Sequence, residues 1–299
     1  MRFFLLLCLT LLGGCMAVER AFMRGSYNKV ALPETQVVRD IVYKPGSTSP
    51  KHRLDLYEPA SKHWPVMVFI HGGAWRKGDK ALRFGGEDVY GNIGRFFASH
   101  GIGVAVISYR LQPEVTWRDQ VSDAADAVVW VKKHIGSYGG DASRIFLAGH
   151  SAGAYLASFV VLNRDVAARH GLPRIAGVIC VSGVGFDMTD PGTYQLGNRV
   201  WLYAKRFSEA GANPDWQRVA SPATYATKGA PPFLIVQGGD EFASLQRQAR
   251  HFHDVLDRKG VSNRLVVVPG ETHARIVGAL SRADQTAGPA ILDFIASHR

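Results

Sequence analysis

A serine between two glycines lies where an apolar run gives way to an alanine-rich segment, in the stretch IFLAGHSAGAYLASFVV. The run before the serine, residues 144–149, is typical of a short buried strand, and residues 152–161 favour a helix. A sharp strand-to-helix turn would strain the backbone of Ser151 and would need the clearance that Gly149 and Gly153 provide. The pattern predicts a serine nucleophile. A glycine-rich turn whose serine has no catalytic role is the alternative, since it has the same sequence pattern.

A nucleophilic serine needs a base that removes its proton. In chains with a G-x-S-x-G turn, that base is a histidine in the loop after a strand, and it comes last along the chain. His273 has this position, in LVVVPGETHARIV. His251 and His253 are two residues apart on a predicted helix and do not face each other, which makes them poor ligand partners. We therefore predict His273 as the general base.

The base in turn needs a carboxylate that orients it, and two neighbouring acids compete for this role. Asp240 and Glu241 both follow the apolar run PPFLIVQG. Asp240 comes directly after a glycine pair and has the shorter side chain. Glu241 is expected to begin the next helix, where an acid suits the helix dipole. We predict Asp240 as the acid and keep Glu241 as the alternative, with Asp187 and Asp190 as a third choice.

Backbone N–H groups that stabilise an oxyanion are expected in the loop after another strand, in VFIHGGAWRKGDK. Glycines in this loop let the backbone turn its N–H groups towards a substrate carbonyl. We assign the oxyanion hole to the N–H groups of Gly73 and Ala74, together with that of Ala152 after the nucleophile. His71 is expected to brace the loop rather than to transfer protons. A simple turn at Gly72 and Gly73 is the alternative.

Strand and helix signals alternate along most of the chain. The strand signals cover residues 36–44, 52–57, 65–72, 103–110, 144–149, 177–183, 232–238 and 263–270. The first two alternate polar and apolar residues, which is typical of antiparallel edge strands, and the later ones are nearly continuous apolar runs, which are typical of buried parallel strands. Long helices are predicted around Trp117 to Ile135, over residues 241–259 and within 276–298, the last interrupted near Gly288 and Pro289. This order predicts one α/β domain over residues 36–299 with a mostly parallel sheet.

Residues 185–229 break the alternation between two predicted strands. The segment contains several aromatic residues: Phe186, Tyr194, Trp201, Tyr203, Phe207 and Trp216. An insertion of this length within a compact domain is more often functional than not. We predict a helical cap over the active site, with a purely structural insertion as the alternative.

The N-terminus differs from the rest of the chain. The stretch MRFFLLLCLTLLGGC has one arginine, an apolar run too short to span a bilayer, and then small residues. Residues 1–14 are predicted to be a lipoprotein-type signal peptide, with Cys15 lipidated after cleavage and residues 15–35 as a tether. The protein is then expected in the bacterial cell envelope, held to a membrane by its lipid. A plain signal peptide that contains a cysteine is the alternative.

The composition of the chain argues against a disulfide, a nucleic-acid partner, a metal site and a cofactor. The chain has 299 residues, a formal charge of +10 and three cysteines, Cys8, Cys15 and Cys180. If the first two belong to the signal and the anchor, no internal disulfide can form. The basic residues are scattered and form no nucleic-acid-binding motif, so no nucleic-acid partner is predicted. No Cys/His cluster has the spacing of metal ligands, and no cofactor is predicted.

From residue 36 onwards the chain resembles the hormone-sensitive-lipase-like carboxylesterases of the α/β-hydrolase fold. The resemblance is carried by HGGAWRKGDK, VISYRL, YGGDASRIFLAGHSAGA, SPATYATKGAPPFLIVQGGDE and VVVPGETH. It extends to feruloyl- and acetyl-esterase-like enzymes, prenylcysteine methylesterases and kynurenine formamidases, and in formamidase-like members a GGDE loop supplies an aspartate. This chain departs from many relatives at Ala74, where they have glycine, and at His150, where they have aspartate. The resemblance implies an eight-stranded sheet and a Ser–acid–His mechanism without metal or cofactor.

Three functions are compatible with these residues. The first is a serine carboxylesterase acting on a small or aryl ester, since the aromatic insertion indicates a small apolar substrate. The second keeps the mechanism but cleaves an aryl N-formyl amide. The third is a tethered binding protein on a hydrolase scaffold without turnover. Non-catalytic relatives usually lose a triad member, and this chain has a candidate for each. We therefore expect the first function.

Overall fold

The computed structural model describes residues 28–84, 87–197, 200–209 and 213–298. The predicted signal peptide (1–14), Cys15 and most of the predicted tether (15–35) lie outside the described residues, so these predictions stay predictions. Within the described part of the chain, no helix is both long enough and apolar enough to cross a membrane.

Eight strands form one sheet in the order β1-β2-β4-β3-β5-β6-β7-β8. The strands are β1 (Val37–Val42), β2 (Arg53–Tyr57), β3 (Trp64–Ile70), β4 (Gly103–Ile107), β5 (Gly140–His150), β6 (Gly177–Val181), β7 (Phe233–Gly238) and β8 (Asn263–Val268). Outside this sheet, Arg83–Phe84 pairs with Glu87–Asp88. Each predicted strand is therefore present, with ends that shift by a few residues.

Pairing within the sheet follows the apolar pattern of the strands. β2 is antiparallel to both β1 and β4, whereas the six strands from β4 through β3, β5, β6 and β7 to β8 are parallel to one another. Every residue of β4, β6 and β7 is buried, because helices cover both faces of the parallel part. Since parallel strands end at the same edge of a sheet, the loops after β3, β5, β7 and β8 meet there.

The helices are α1 (Val89–Ser99), α2 (Trp117–Tyr138), α3 (Ala152–Leu162), α4 (Arg164–His170), α5 (Pro191–Gln195), α6 (Val200–Phe207), α7 (Trp216–Val219), α8 (Ala243–Arg258), α9 (Ile276–Ala279) and α10 (Ala287–Ser297). α2 begins at a capping box between Thr116 and Asp119 and ends at Gly139 in the left-handed conformation. Its predicted apolar face is buried, including Val121, Ala124 and Val128.

The predicted C-terminal helix is interrupted earlier than expected. The helical structure stops after Ala279 and resumes at Ala287, so the break lies at residues 280–286 and not at Gly288 and Pro289. Pro289 lies in the first turn of α10, where a missing N–H breaks no intrahelical hydrogen bond. The proline therefore helps to begin this helix instead of breaking it.

The segment between β6 and β7 carries α5, α6, α7 and a short 3-10 helix, Pro222–Tyr225. Phe186, Tyr203 and Phe207 from this segment are buried in the main apolar cluster. Asp190 accepts two hydrogen bonds of 2.7 Å from Arg247 of α8, and this guanidinium lowers the pKa of Asp190 well below its usual range. Asp187 is bonded to His251 at 2.9 Å. Both aspartates therefore fasten the segment to α8, and the structure does not bring them to His273 as the acid.

Candidate active site

Ser151 lies at the turn between β5 and α3, in a conformation that L-residues rarely adopt. Its φ is 55° and its ψ is −118°, and its N–H donates a 2.9 Å hydrogen bond to the carbonyl of Val181 in β6. A Cβ on Gly149 would come within 2.3 Å of the Gly153 backbone, and one on Gly153 within 2.0 Å of the Ile70 carbonyl oxygen. The glycines are required here because the turn packs directly on neighbouring backbone. The structure thus places the strained serine where the sequence predicts it.

His273 connects Ser151 to a buried carboxylate. Its Nε2 is 2.9 Å from Ser151 Oγ, and its Nδ1 is 2.9 Å from Oε2 of Glu241. The Glu241 side chain is fully buried, and its second oxygen accepts a 2.9 Å bond from the N–H of Phe242. With the proton on Nδ1, the imidazole can accept the serine proton at Nε2 while the carboxylate stabilises the resulting imidazolium. These three side chains form one continuous hydrogen-bonded chain.

The acid bonded to His273 is Glu241 and not Asp240, which corrects the sequence-based choice. Asp240 is exposed, and its N–H donates a 3.0 Å bond to the carbonyl of Glu271. The preceding N–H, of Gly239, bonds to the carbonyl of Val268 at 2.8 Å. These two bonds tie the loop after β7 to the loop after β8 and leave the Asp240 side chain pointing to solvent. The next side chain, Glu241, then turns inwards to the histidine.

The loop with two of the predicted oxyanion donors runs beside Ser151, and the third donor directly follows this serine. A Cβ on Gly72 would come within 3.3 Å of Ser151 Cβ, so the loop that continues into Gly73 and Ala74 runs beside the serine. Gly73 and Ala74 have φ values of 126° and 50°, which turn the backbone sharply at this point. Ala152 is the first residue of α3, where N–H groups have no intrahelical acceptor.

Aromatic and amide side chains hold this loop in place. His71 stacks on Tyr109 with ring centroids 4.3 Å apart, and its Nδ1 bonds to the Gly72 carbonyl at 2.7 Å. Burial lowers the pKa of His71 to about 4, so the ring stays neutral near pH 7. Gln120 donates a 2.7 Å bond from Nε2 to the carbonyl of Trp75. The strained loop is thus fixed at both ends.

His150 makes a contact that the sequence did not reveal. Its Nε2 donates a 2.8 Å hydrogen bond to the carbonyl oxygen of His273, which ties the loop of His273 to the residue before Ser151. Burial, with a further contribution from the charge of His273, lowers the pKa of His150 to about 3. The adjacency of His150 to Ser151 is the only sequence signal for this role. We describe His150 as a residue that positions the catalytic loop.

The neutral state of His150 predicts a loss of stability in acid. An unfolded histidine titrates near 6.5 and folded His150 near 3, so between these values the unfolded chain binds more protons. The free energy of unfolding should therefore fall as the pH drops below about 6.5, by up to about 1.4 kcal/mol per pH unit for each such histidine. Urea unfolding measured between about pH 7 and about pH 4 tests this slope.

Two variants separate His150 from the other histidines. His150→Asn keeps a neutral hydrogen-bond donor but cannot titrate, so its slope should be shallower than that of the wild type. His63→Asn replaces an exposed histidine whose φ is 58°, a value that asparagine tolerates, and it serves as the matched control. If His150→Asn and the wild type showed parallel slopes, the neutral assignment of His150 would be wrong.

Other reactive groups lie away from this site. Cys180 is buried, and burial raises the pKa of its thiol to about 12, which disfavours the thiolate. Across the described ranges, no group of three or more His, Cys, Asp or Glu side chains is placed to hold a metal ion.

The strand order, the turn serine after β5 and the histidine after β8 are those of the α/β-hydrolase fold. The family model BD-FAE matches residues 54–256. The chain belongs to the BD-FAE family, and its predicted resemblance to α/β-hydrolase carboxylesterases is confirmed.

Two curated relatives are about a third identical to this chain over the aligned residues. A probable isoprenylcysteine alpha-carbonyl methylesterase of Oryza sativa is 32% identical over 81% of this chain and 59% of its own length. A probable carboxylic ester hydrolase of Mycobacterium tuberculosis, LipM, is 32% identical over 75% of this chain and 52% of its own length. The chain thus spans just over half the length of these relatives.

Solved structures agree with the fold. A truncated carbohydrate esterase from gut microbiota superposes with a TM-score of 0.74 at 20% identity, covering 90% of this chain and 99% of that one. Esterase B of Lactobacillus rhamnosis gives 0.73 at 23% identity, covering 97% and 93%. The predicted fold class, a mostly parallel eight-stranded sheet with flanking helices, is confirmed.

Proposed function

We propose that this protein is a serine carboxylesterase that hydrolyses a small or aryl carboxylic ester through an acyl-enzyme. The observation that carries the proposal is the hydrogen-bonded chain from Glu241 through His273 to Ser151. The relatives, a probable methylesterase and a probable carboxylic ester hydrolase, support an ester as the substrate.

In the proposed reaction, Ser151 Oγ attacks the ester carbonyl carbon as its proton passes to Nε2 of His273. The tetrahedral oxyanion is stabilised by the N–H groups of Gly73, Ala74 and Ala152. His273 then returns the proton to the leaving oxygen, which departs as the alcohol. Water, activated by the same nitrogen, attacks the acyl-enzyme and releases the carboxylic acid and free Ser151.

Aromatic packing beside the oxyanion loop supports a small acyl group. Trp75, next to Ala74, is buried, and its ring lies 4.9 Å from Phe207 and 5.5 Å from Tyr155 between centroids. Phe207 comes from the segment 185–229, which we propose to be a cap. A long acyl chain on this side would have to displace these buried rings. Forcing extra volume into a packed core costs free energy. Short acyl chains are therefore expected to react fastest.

Hydrolysis of p-nitrophenyl esters from acetate to decanoate tests this proposal. We expect turnover with the largest kcat/KM at the short end of the series, together with labelling of Ser151 by a fluorophosphonate probe. An N-formyl aryl amide, measured beside the esters, tests the formamidase alternative and should react more slowly than the acetate ester. Faster cleavage of the formamide would favour that alternative, and a protein that neither turned over nor labelled would be a binding protein.

A further inference from the structure

Phe242 presents a large apolar side chain to solvent directly beside the acid of the triad. It is 57% exposed, the highest value among the large hydrophobic side chains that the structure describes. Its neighbour Glu241 is buried. Isolated exposed hydrophobic residues are ordinary, so the position of Phe242 matters more than its exposure.

The backbone of Phe242 is fixed by the catalytic machinery. Its N–H donates to Oε1 of Glu241, and its carbonyl accepts the N–H groups of Leu245 and Gln246 at 2.8 and 3.0 Å as α8 begins. The Gln246 side chain also bonds back to the carbonyls of Gly239 and Glu241. The aromatic ring therefore projects from a rigid turn, and that turn also sets the position of the acid.

The ring of Phe242 lies beside the imidazole that is proposed to protonate the leaving group. Its centroid is 6.4 Å from that of His273, with the ring planes at 48°. His273 must protonate the leaving oxygen, which then has to lie within about 3 Å of Nε2. A substituent that extended from that oxygen past the imidazole would come within reach of the adjacent phenyl ring. The buried ring of Trp75, by contrast, belongs to the loop on the oxyanion side.

Leu196 is a second exposed apolar side chain, in the chain segment that approaches the first turn of α8, the helix that begins directly after Phe242. It is 51% exposed and precedes Gly197, where a Cβ would come within 3.7 Å of Ser244 Oγ in the first turn of α8. We call Leu196 and Phe242 the apolar rim. Of the described residues, the other exposed large hydrophobic side chains are Val42 and Val267, on the two edge strands of the sheet.

We propose that the apolar rim binds the alcohol half of the substrate and that Phe242 is its specificity-determining residue. This inference rests on the proposed esterase function and adds the substrate class to it: an ester of an uncharged aryl or bulky alkyl alcohol. A phenyl or branched alkyl group would cover the exposed face of Phe242, whereas a methyl group would leave the ring exposed to water.

Acetate esters of different alcohols test the inference, since all of them form the same acetyl-enzyme. The ratio of kcat/KM for benzyl acetate to that for methyl acetate should fall by about 10- to 100-fold in Phe242→Ala. The ratio for p-nitrophenyl butyrate to p-nitrophenyl acetate, which varies only the acyl group, should change little. Phe242→Leu should recover part of the benzyl preference, and Leu196→Ala should show a smaller loss in the same direction.

Val42→Ala is the matched control, because it truncates an exposed apolar residue on edge strand β1 and should leave both ratios unchanged. Equal losses on methyl and benzyl acetate in Phe242→Ala would mean that the residue acts only through Glu241, and would overturn the inference. An unchanged benzyl preference would overturn it as well. A wild-type chain without turnover on any acetate ester would instead overturn the proposed function, which is a distinct result.

Discussion

Ser151→Ala is expected to lower kcat for p-nitrophenyl acetate by about 10⁶-fold, close to the loss seen when a triad nucleophile is removed from a serine hydrolase. The change removes only Oγ, the atom that makes the 2.9 Å hydrogen bond to Nε2 of His273. Alanine keeps the Cβ and the N–H bond to Val181, so the strained turn should survive. Initial rates beside thermal unfolding curves measure the two effects separately.

Ser158→Ala is the matched control for this variant. Ser158 is also a buried serine of the same segment, but its hydroxyl bonds to the carbonyl of Ala154 one turn earlier in α3. Its loss should leave turnover nearly unchanged. If Ser151→Ala kept more than a small fraction of wild-type activity in a folded protein, another nucleophile would carry the reaction and the proposed mechanism would be wrong.

Glu241→Gln is expected to lower kcat by about 10⁴-fold, the loss typical of replacing the triad acid by its amide. The amide has nearly the shape of the carboxylate, so packing around this buried side chain should persist. Its NH₂ group, however, would face Nδ1 of His273 and favour the tautomer with the proton on Nε2. That nitrogen could then no longer accept the proton of Ser151. Steady-state kinetics with p-nitrophenyl acetate measure the loss.

Asp240→Asn provides the comparison that separates the two neighbouring acids. The side chain of Asp240 is exposed, and the bond that holds this residue to Glu271 uses its backbone N–H. We expect a loss of less than about threefold, as for a surface substitution away from the reacting atoms. A larger loss in Asp240→Asn than in Glu241→Gln would restore the original sequence-based choice and contradict the geometry.

Local patterns in the sequence identified most of the fold and two of the three side chains in the proposed triad. The continuous apolar runs of the central strands follow from burial on both faces, which each strand experiences along its whole length. The turn at Ser151 requires glycine two residues before and two residues after the serine, and the motif G-x-S-x-G contains both. His273 could be found because it lies just beyond the last strand. Each of these features depends on a residue and its near neighbours in the chain.

The choice between Asp240 and Glu241 depended on contacts with a loop about thirty residues later in the chain. The bonds of Gly239 to Val268 and of Asp240 to Glu271 set the rotation of the turn, and that rotation decides which side chain faces the histidine. Side-chain length and helix position, the two local signals, pointed to the other residue.

By itself, the sequence determined the class of fold and predicted Ser151 and His273 as nucleophile and base, because strand burial and backbone strain depend on consecutive residues. Only the tertiary structure decided the acid, the bond from His150 to a carbonyl 123 residues later, and the position of Phe242 beside the base. The direction of a side chain on a turn is set by the backbone groups that the turn pairs with, and these come from distant parts of the chain.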